Sequence, residues 1–536
     1  MTKAVFLGVG SFIPVLVSMF AARGIFHLFQ LESYQFPGFF RSVGRNPKQA
    51  WLPGIYAALV SLVLLSGLQA FYRAEQGGFV HWLLLAAFLL CAAGAGWLFA
   101  RIQNGKKAKK PFVVTGRVKR LYTVTAILLG VFSVSLSTVD SIALTALWPV
   151  ALPLLLAGCG FVAWGPEKLI SEFYFRSARR KLLAQKDLIR IGITGSYGKT
   201  TVKHILGTLL AEKYQVLYTP KSFNTPMGVS RTIREMLLPA HQVFIAEMGA
   251  RHVGDIKELC RLVKPEIGIL TSVGPQHLDT FKTVERVAST KYELIAALPA
   301  EGRSFFADDH AICRALYQKT VKPRTLASLT AGDADVWSEN VNVSPEGSAF
   351  TLCFADGQRY ACQTRLLGEH NILNIVLAAA VARSLGLTKQ QILRGVQRIE
   401  PVPSRLELIK NTNSYTIIND GFNANPIGAQ AALNVLGQFP QRRIIVTPGM
   451  VELGAREAEL NREFGRAIAK AADIAVIVGK KRVQPIMDGL AEAGFPAEST
   501  HRVDSLQEST ALLQRLARAG DTVLYENDLP DNYQEH

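Results

Sequence analysis

The segment Ile191-Gly-Ile-Thr-Gly-Ser-Tyr-Gly-Lys-Thr-Thr201 concentrates more chemistry than any other stretch of this chain. A β-branched run breaks into glycines and then into Lys199, Thr200 and Thr201, with an amphipathic stretch following from Val202. That order of residue types describes a phosphate-binding loop. Gly195 and Gly198, with Ser196 and Tyr197 between them, allow a tight turn that aims backbone N–H groups inward. Lys199 can neutralise the β/γ-phosphates, Thr200 can hold a Mg²⁺, and the helix that follows points its positive end at the nucleotide. The commonest version of this loop has four residues between its first glycine and the Gly-Lys pair. Here only Ser196 and Tyr197 intervene, which sets the chain apart from ordinary P-loop GTPases and transporter ATPases. A glycine-rich strand-to-helix turn carrying a surface lysine is the bland alternative.

Further candidates lie downstream. From Leu188 onward, strands are expected at Ile189–Thr194, Val216–Thr219, Val243–Glu247 and Ile267–Val273, with helices near Val202–Glu212, Ser230–Glu235, Val253–Leu262 and Val284–Leu298. Such alternation predicts a mostly parallel sheet covered by helices, with ligands at the carboxyl ends of the strands. Glu247 stands at such an end, where a Mg²⁺ ligand is needed, because Mg²⁺ takes hard oxygen donors and substrate phosphates. The next strand runs into His277 and Asp279. A lone histidine is more often structural than functional, but one at a strand end beside a metal carboxylate is a candidate. Lys291 follows on the next helix, where spacing alone makes it a helix-surface lysine.

The elements before residue 188 are of another kind. The chain has 536 residues, positive mean hydropathy and only 19% charged residues. Apolar runs occur at 4–22, 51–72, 79–100, 121–139 and 141–164, each near the ~20 residues that cross a hydrocarbon core. The formal net charge of +17 invites a nucleic-acid reading, but its distribution argues against one. Residues 1–190 hold 21 Lys/Arg against 6 Asp/Glu, leaving 38 against 36 in the rest. Nucleic acid is therefore not expected as a partner. The basic loops at 23–48, 101–120 and 168–190 all fall on one side of a bilayer if there are five spans with the N-terminus outside, which puts everything after Trp164 in the cytoplasm. The first span resembles a signal peptide only loosely and is read as retained. The aromatic and basic stretch 24–49 either lies at the headgroup level or forms a plain loop. Six cysteines make no CxxC pair, so neither a zinc site nor a disulfide framework is expected.

Taken in order, Thr194-Gly-Ser-Tyr-Gly-Lys-Thr-Thr201, Asn224-Thr225-Pro-Met-Gly228, Glu247-Met-Gly-Ala-Arg-His-Val-Gly-Asp255, His277-Leu-Asp279 and Lys291 resemble the ATP-binding central domain of the Mur ligases. Gly368-Glu-His-Asn371-Ile-Leu-Asn374 is similar to that family's adenine-contacting segment. Pro401-Val-Pro-Ser-Arg405-Leu-Glu and Asn419-Asp420-Gly-Phe-Asn423-Ala-Asn425-Pro426 are similar to its carboxy-terminal domain. Within the family the likeness is greatest to the branch that adds D-alanyl-D-alanine to a UDP-linked muramoyl tripeptide. The organisation this implies is a transmembrane domain at 1–170, a basic juxtamembrane linker at 171–187, a central ATP-binding domain at 188–399 and a carboxy-terminal domain at 400–536. The fold class is an α-helical membrane domain of about five spans, then an α/β parallel-sheet P-loop ATPase domain and a smaller Rossmann-like α/β domain.

The resemblance also implies roles. The family transfers the γ-phosphoryl of ATP to a carboxylate and lets an amine attack the acyl phosphate, so catalysis is mostly positioning and cationic stabilisation. Lys199 would hold the phosphates, Thr200 and Glu247 one Mg²⁺, and His277 a second metal. Lys291 matches the lysine that several members carbamylate into a metal-binding carboxylate. Asn371 and Asn374 would read the base, Arg405 and Asp420 would reach the nucleotide on domain closure, and Asn224, Thr225, Asn423 and Asn425 would face substrates. Asn-Ala-Asn-Pro is equally good turn and N-cap chemistry.

Three features depart from the family. Apolar runs stand where the UDP-sugar-gripping domain belongs, so the acceptor is either a UDP-linked or a lipid-linked envelope precursor. Thr447-Pro-Gly-Met-Val-Glu-Leu-Gly454 lacks an acidic Gly-Asp step, and Tyr525-Glu-Asn-Asp-Leu-Pro-Asp-Asn-Tyr533 lacks a Lys-Gly-Ser-Arg-like ending. These changes point to an altered amine or acceptor, an amino acid or a dipeptide, with the ATP chemistry kept. The expectation is an amide ligase at a bacterial cytoplasmic membrane, multi-pass, with its catalytic domains in the cytoplasm. The alternative from another class is a membrane-tethered nucleotide-binding scaffold or sensor. A transporter is disfavoured, because the spans contain almost no charge that could couple transport.

Overall fold

The structure, a computed structural model, describes residues 8, 10–32, 34–74, 79–104, 111–139, 141–410, 415–422, 424–480 and 483–528. The chain divides into two compact units, one over 1–171 and one from 172 onward.

The first unit is helical. Its long helices are Pro47–Ala74, Phe79–Asn104 and Gly116–Ser137, which extend the expected apolar runs by a few residues, and Leu152–Leu183. Four helices are long and apolar enough to cross a membrane, or five if Phe12–Ala21 and Arg23–Leu31, bent by 48° at Ala22, count as one broken span. The run 141–164 falls within the candidate span Ile142–Leu183, which is interrupted: Ile142–Leu147 passes into a 3₁₀ turn at Trp148–Ala151, where Pro149 withholds a backbone donor, and only then resumes. The 171–187 stretch, expected as a basic juxtamembrane linker, has regular structure. It stays helical to Leu183, and Phe175, Ala178 and Leu182 are buried in the core of the second unit. In the 24–49 segment Phe26, Phe29 and Phe39 are packed inside the helical unit, whereas Phe40 is exposed.

Apolar residues also stud the outside of this unit. Val63, Leu90 and Phe161 are each about 70% exposed, at 71%, 73% and 69%. Its polar contacts gather the basic segments together. Gln30 donates to the Val113 carbonyl at 2.8 Å, Arg117 stacks over Tyr34 at 4.1 Å, and Arg120 makes a bidentate pair with the buried Glu167.

The second unit holds two sheets. In the first, β1 (Ile189–Thr194), β2 (Val216–Tyr218), β3 (Val243–Glu247), β4 (Ile267–Leu270), β5 (Arg303–Ala307), β6 (Arg324–Ser328), β7 (Val336–Ser344), β8 (Gly347–Phe354) and β9 (Arg359–Thr364) lie in the order β2-β3-β1-β4-β5-β6-β7-β8-β9. The sheet is parallel from β2 to β7 and ends in an antiparallel meander through β9 that the βαβ reading did not anticipate. Every residue of β3 and β4 is buried, as expected for strands covered on both faces. One face packs against helices Lys199–Leu210 and Glu369–Ser384, the other against Pro226–Met236, Asp255–Val263 and Val284–Ala296. Residues 371–382 are buried without a break, so that helix has no solvent face.

In the second sheet, β10 (Glu407–Lys410), β11 (Thr416–Asp420), β12 (Arg443–Thr447), β13 (Ile474–Val478), β14 (Thr500–Val503) and β15 (Thr522–Glu526) run in the order β10-β11-β15-β12-β13-β14, parallel except for β10. All six cysteines are free.

Candidate active site

The glycine-rich loop joins β1 to helix Lys199–Leu210, with Gly198 at φ 76° as its left-handed entry. Gly195 tolerates no side chain: a Cβ there would sit 2.0 Å from Thr271 Oγ1. The loop is clamped by the segment after β4. The Ser196 amide donates to the Ser272 carbonyl at 2.9 Å, the Tyr197 amide to Ser272 Oγ at 2.8 Å, and Ser196 Oγ to the Gly274 carbonyl at 3.0 Å. Thr271 and Ser272 both donate to the Tyr197 carbonyl. The backbone is thus shaped before any ligand arrives.

Lys199 turns back on this loop and donates to the Gly195 and Ser196 carbonyls at 2.6 and 3.3 Å. Desolvation pulls its pKa down to about 8, with Glu247 opposing and Arg405 reinforcing the shift. A half-buried ammonium that, among the described residues, donates to backbone carbonyls at a helix N-terminus is poised for anionic phosphate. The Tyr197 hydroxyl is buried and has no hydrogen-bond partner among the described residues. These observations fit a nucleotide. Thr201 lies buried in the first turn of the helix.

Glu247 ends β3 beside the loop. Its Oε2 accepts from Thr200 Oγ1 at 3.0 Å and its Oε1 from Asn224 Nδ2 at 3.1 Å, so these three expected residues meet. The reading missed the strongest partner. Lys203 Nζ donates to Glu247 Oε2 at 2.9 Å, and both residues are buried. Burial raises the Glu247 pKa, but Lys203 and Lys199 outweigh it and hold the group below its ordinary range. The signal was available: a lysine four residues after Lys199, set among Val202, Ile205 and Leu206 on a buried face. Thr225 has a local task, capping the helix by accepting from the Gly228 amide at 3.3 Å.

The four residues expected to bind metal, two of them at one Mg²⁺ and His277 at a second ion, lie in separate contacts. Thr200 and Glu247 meet, and two hard oxygens 3.0 Å apart fit one Mg²⁺. His277, in the left-handed region at φ 50°, instead contacts Glu452, which also lies 3.4 Å from Arg251. Lys291 is buried and donates to the Gly195 carbonyl at 2.8 Å. Among the described residues no three His, Cys, Asp or Glu side chains come close enough to share an ion. Glu452 comes from the loop after β12, a neighbour that only tertiary packing supplies. Desolvation holds Lys291 well below its ordinary pKa and, against the pull of Glu452, lowers that of His277.

Asn371 and Asn374 are buried one turn apart. Asn371 donates to the Leu367 carbonyl at 2.8 Å, and Asn374 to Asn371 Oδ1 at 3.3 Å. A Cβ on Gly198 would lie 3.1 Å from Asn374 Oδ1, so Asn374 borders the phosphate loop. Asp309, just past β5, lies 4.0 Å from His310 Nε2 through its Oδ2, which is buried with no hydrogen-bond partner among the described residues.

Arg405 donates to the Phe422 carbonyl at 2.8 Å and lies 4.0 Å over the Phe422 ring. Asp420 Oδ1 accepts from the Leu406 amide at 3.2 Å, and desolvation raises the Asp420 pKa. Asn425 caps helix Pro426–Leu436 by accepting from the Ile427 and Gly428 amides at 3.2 and 3.1 Å, which is the turn chemistry that its sequence context also allowed. Asn423 lies outside the described residues.

The family model described as Mur ligase middle domain matches residues 193–382, and that described as Mur ligase, glutamate ligase domain, matches residues 404–525. The UDP-N-acetylmuramoyl-tripeptide--D-alanyl-D-alanine ligase of Escherichia coli is 32% identical over 296 residues, covering 54% of this chain and 64% of the relative. The chain thus spans just under two thirds of that relative's length. The ligase of the same name from Mycobacterium tuberculosis is 32% identical over 404 residues, covering 70% of this chain and 78% of the relative. Among solved structures, MurF from Thermotoga maritima in complex with ADP is similar at a TM-score of 0.60 and 24% identity, over 67% of this chain and 80% of that one. At that identity the likeness is one of fold.

Proposed function

We propose, on the premise that this chain belongs to the Mur ligase family, that it is a membrane-anchored, ATP-dependent amide ligase of cell-envelope metabolism. The observation that carries the reading is the contact of Thr200 and Asn224 with Glu247 beside a preformed phosphate loop. In this reading ATP, when bound, supplies the γ-phosphoryl group that activates a carboxylate as an acyl phosphate, and an amine displaces the phosphate. Lys199 and the loop amides hold the phosphates in line and neutralise charge as it builds. Thr200 and Glu247 would hold Mg²⁺, and Asn371 and Asn374 would lie along the nucleotide. Arg405 and Asp420 belong to the part of the site that domain closure completes. Lys291, buried beside the loop with its pKa lowered by desolvation, matches the lysine that several family members carbamylate, so the carbamate belongs to the proposal.

The acceptor in this reading is a UDP-linked or lipid-linked envelope precursor, and the amine an amino acid or dipeptide. The relatives named above are ligases of a UDP-linked precursor and a dipeptide. Location at the cytoplasmic membrane, with the catalytic domains in the cytoplasm, draws support from two features. The first unit exposes large apolar side chains on helices of spanning length. The Gln30–Val113 and Arg120–Glu167 contacts bring its basic segments to one end, as positively charged loops on one face of a bilayer require.

A scaffold or sensor is the second reading, favoured by one observation: Lys203 occupies the carboxylate that Mg²⁺ would use. Purified full-length protein in detergent, given ATP, Mg²⁺, UDP- or lipid-linked acceptors and panels of amines, separates the two. Phosphate release that needs acceptor and amine together and is lost in Lys199→Ala supports the ligase. Nucleotide binding without such turnover across the panel supports the scaffold.

A further inference from the structure

Two segments of the helical unit are pinned to each other crosswise. Helix Arg23–Leu31 opens directly after the 48° bend at Ala22, with Tyr34 just past its end. Beside it runs the non-helical stretch from Phe112 to Thr115, followed by the first turn of helix Gly116–Ser137. Gln30 clasps the two, its Nε2 donating to the Val113 carbonyl at 2.8 Å and its Oε1 accepting from the Val113 amide at 3.1 Å. Before the clasp, Arg23 of the first segment lies 5.4 Å over the Phe112 ring of the second. After it, Arg117 of the second segment lies 4.1 Å over the Tyr34 ring of the first. Both rings are braced. Phe112 leans on Tyr122 at 6.5 Å, Tyr122 stacks on the buried Phe26 at 3.9 Å, and Tyr34 meets the buried Phe29 edge-on at 5.6 Å.

A guanidinium carries its N–H donors in a planar fork. Among the described residues neither Arg23 nor Arg117 gives one of these donors to a hydrogen bond. Arg23 has no ion pair there either. Arg117 reaches only Glu167, at 3.7 Å, and that carboxylate already accepts two hydrogen bonds from Arg120. Glu167 therefore balances one of three guanidiniums, while the next acid along the chain from Gln30, Glu32, accepts from Ser42. Ring stacking occupies the face of a guanidinium and leaves its edge, which is the part that pairs with phosphate. The partner such an edge fits is an anion with several oxygens. The surroundings choose among anions. Val113 and Val114, between the two arginines, are 53% and 58% exposed, and exposed Trp164 carries Lys168 Nζ at 5.1 Å over its ring. Outward apolar and indole side chains beside cations suit acyl chains below a charged headgroup and offer nothing to a soluble anion.

We propose that this edge of the helical unit binds anionic membrane lipids, with Arg23 and Arg117 holding phosphate ester groups at the two ends of the 112–117 segment. The proposal rests on the membrane location given above and adds the chemistry of the lipid.

Phosphatidylglycerol and phosphatidylcholine with identical acyl chains, which differ in net charge, are the probes. Each is titrated into the full-length protein in neutral detergent, and bound lipid is read by native mass spectrometry. Wild type is expected to bind phosphatidylglycerol about tenfold more tightly. The double variant Arg23→Gln with Arg117→Gln is expected to lower that ratio at least fivefold. Arg176→Gln with Arg180→Gln, an equal loss of charge at exposed positions elsewhere, is expected to leave it within a factor of two. A wild-type ratio near one overturns the proposal whether or not any variant folds. An unchanged ratio in the folded double variant also overturns it, as does an equal fall in both double variants, which would assign the preference to total charge. Should the double variant not fold, the single variants Arg23→Gln and Arg117→Gln replace it, and an unchanged ratio in both has the same meaning. Displacement of the lipid by millimolar inorganic phosphate would assign the edge to a soluble anion and overturn the lipid assignment. Release of the protein from membranes by alkaline carbonate refutes the membrane location itself, a failure distinct from lost lipid preference in a protein that stays.

Discussion

Lys203 donates a hydrogen bond to Glu247 at 2.9 Å in a place where both side chains are buried. The pair sets the charge at the strand end that the loop faces, and neither member is stable there alone. Removing one partner of a buried pair typically costs about 3–5 kcal/mol, because the other charge is left uncompensated. Lys203→Met is expected to lower the midpoint of thermal unfolding accordingly, and the double variant Lys203→Met with Glu247→Gln to recover part of the loss. The pH sense follows from the depressed Glu247 pKa. Its stabilisation is present above the ordinary value of 4.5 and is lost as pH falls through the lower folded value. Midpoints for wild type and Glu247→Gln should therefore converge in acid.

Lys199 titrates near pH 8 in the free protein. Between that value and its ordinary 10.5 the unfolded chain keeps a proton that the folded chain has released, so this group makes stability rise with pH across that window. Phosphate needs the charged form. Binding of an ATP analogue at pH 8.5 to 9 is therefore expected to take up a proton, read as a dependence of calorimetric enthalpy on buffer ionisation heat, and to weaken as pH rises. Lys199→Ala is expected to abolish the uptake; a variant that still takes up the full proton would assign the titration elsewhere.

At Gly195 the added methyl of alanine would meet Thr271 Oγ1 at 2.0 Å and the Ser272 amide at 3.0 Å. The loop and the clamp that shapes it cannot both stay in place, so Gly195→Ala is expected to weaken nucleotide binding at least tenfold. Gly254→Ala, where nothing lies within 4 Å of the new methyl, carries only the strain of φ +92° and serves as the comparison. Equal nucleotide affinities in the two variants would count against the clamp.

Cys91 is exposed on helix Phe79–Asn104, between exposed Leu90 and the rest of an apolar span. In membranes it is expected to resist a charged maleimide and to react once detergent and denaturant are added, while the protein stays with the membrane through an alkaline carbonate wash. Ready labelling of Cys91 in intact membranes would refute the span.

The phosphate loop was legible because its function is local. Glycine spacing, Lys199 and the β-branched run before them lie within a few residues of one another. Glu247 was legible as a strand end, and the apolar runs as lengths that match a bilayer. Thr225 and Asn425 were harder, because the residues that cap a helix are the same ones that bind a substrate. Both are caps in the structure.

What the sequence by itself determined is the order of elements, the glycine-rich loop before Lys199, the carboxylate Glu247 set against it and the division into an apolar, basic part and a charge-balanced one. Only the tertiary structure decided who meets whom: Lys203 with Glu247, and His277 with Glu452. Periodicity and turn chemistry act over a handful of residues. The pairing of β11 with β15 joins strands far apart in the chain, and buried charge is settled by the neighbour that packing delivers.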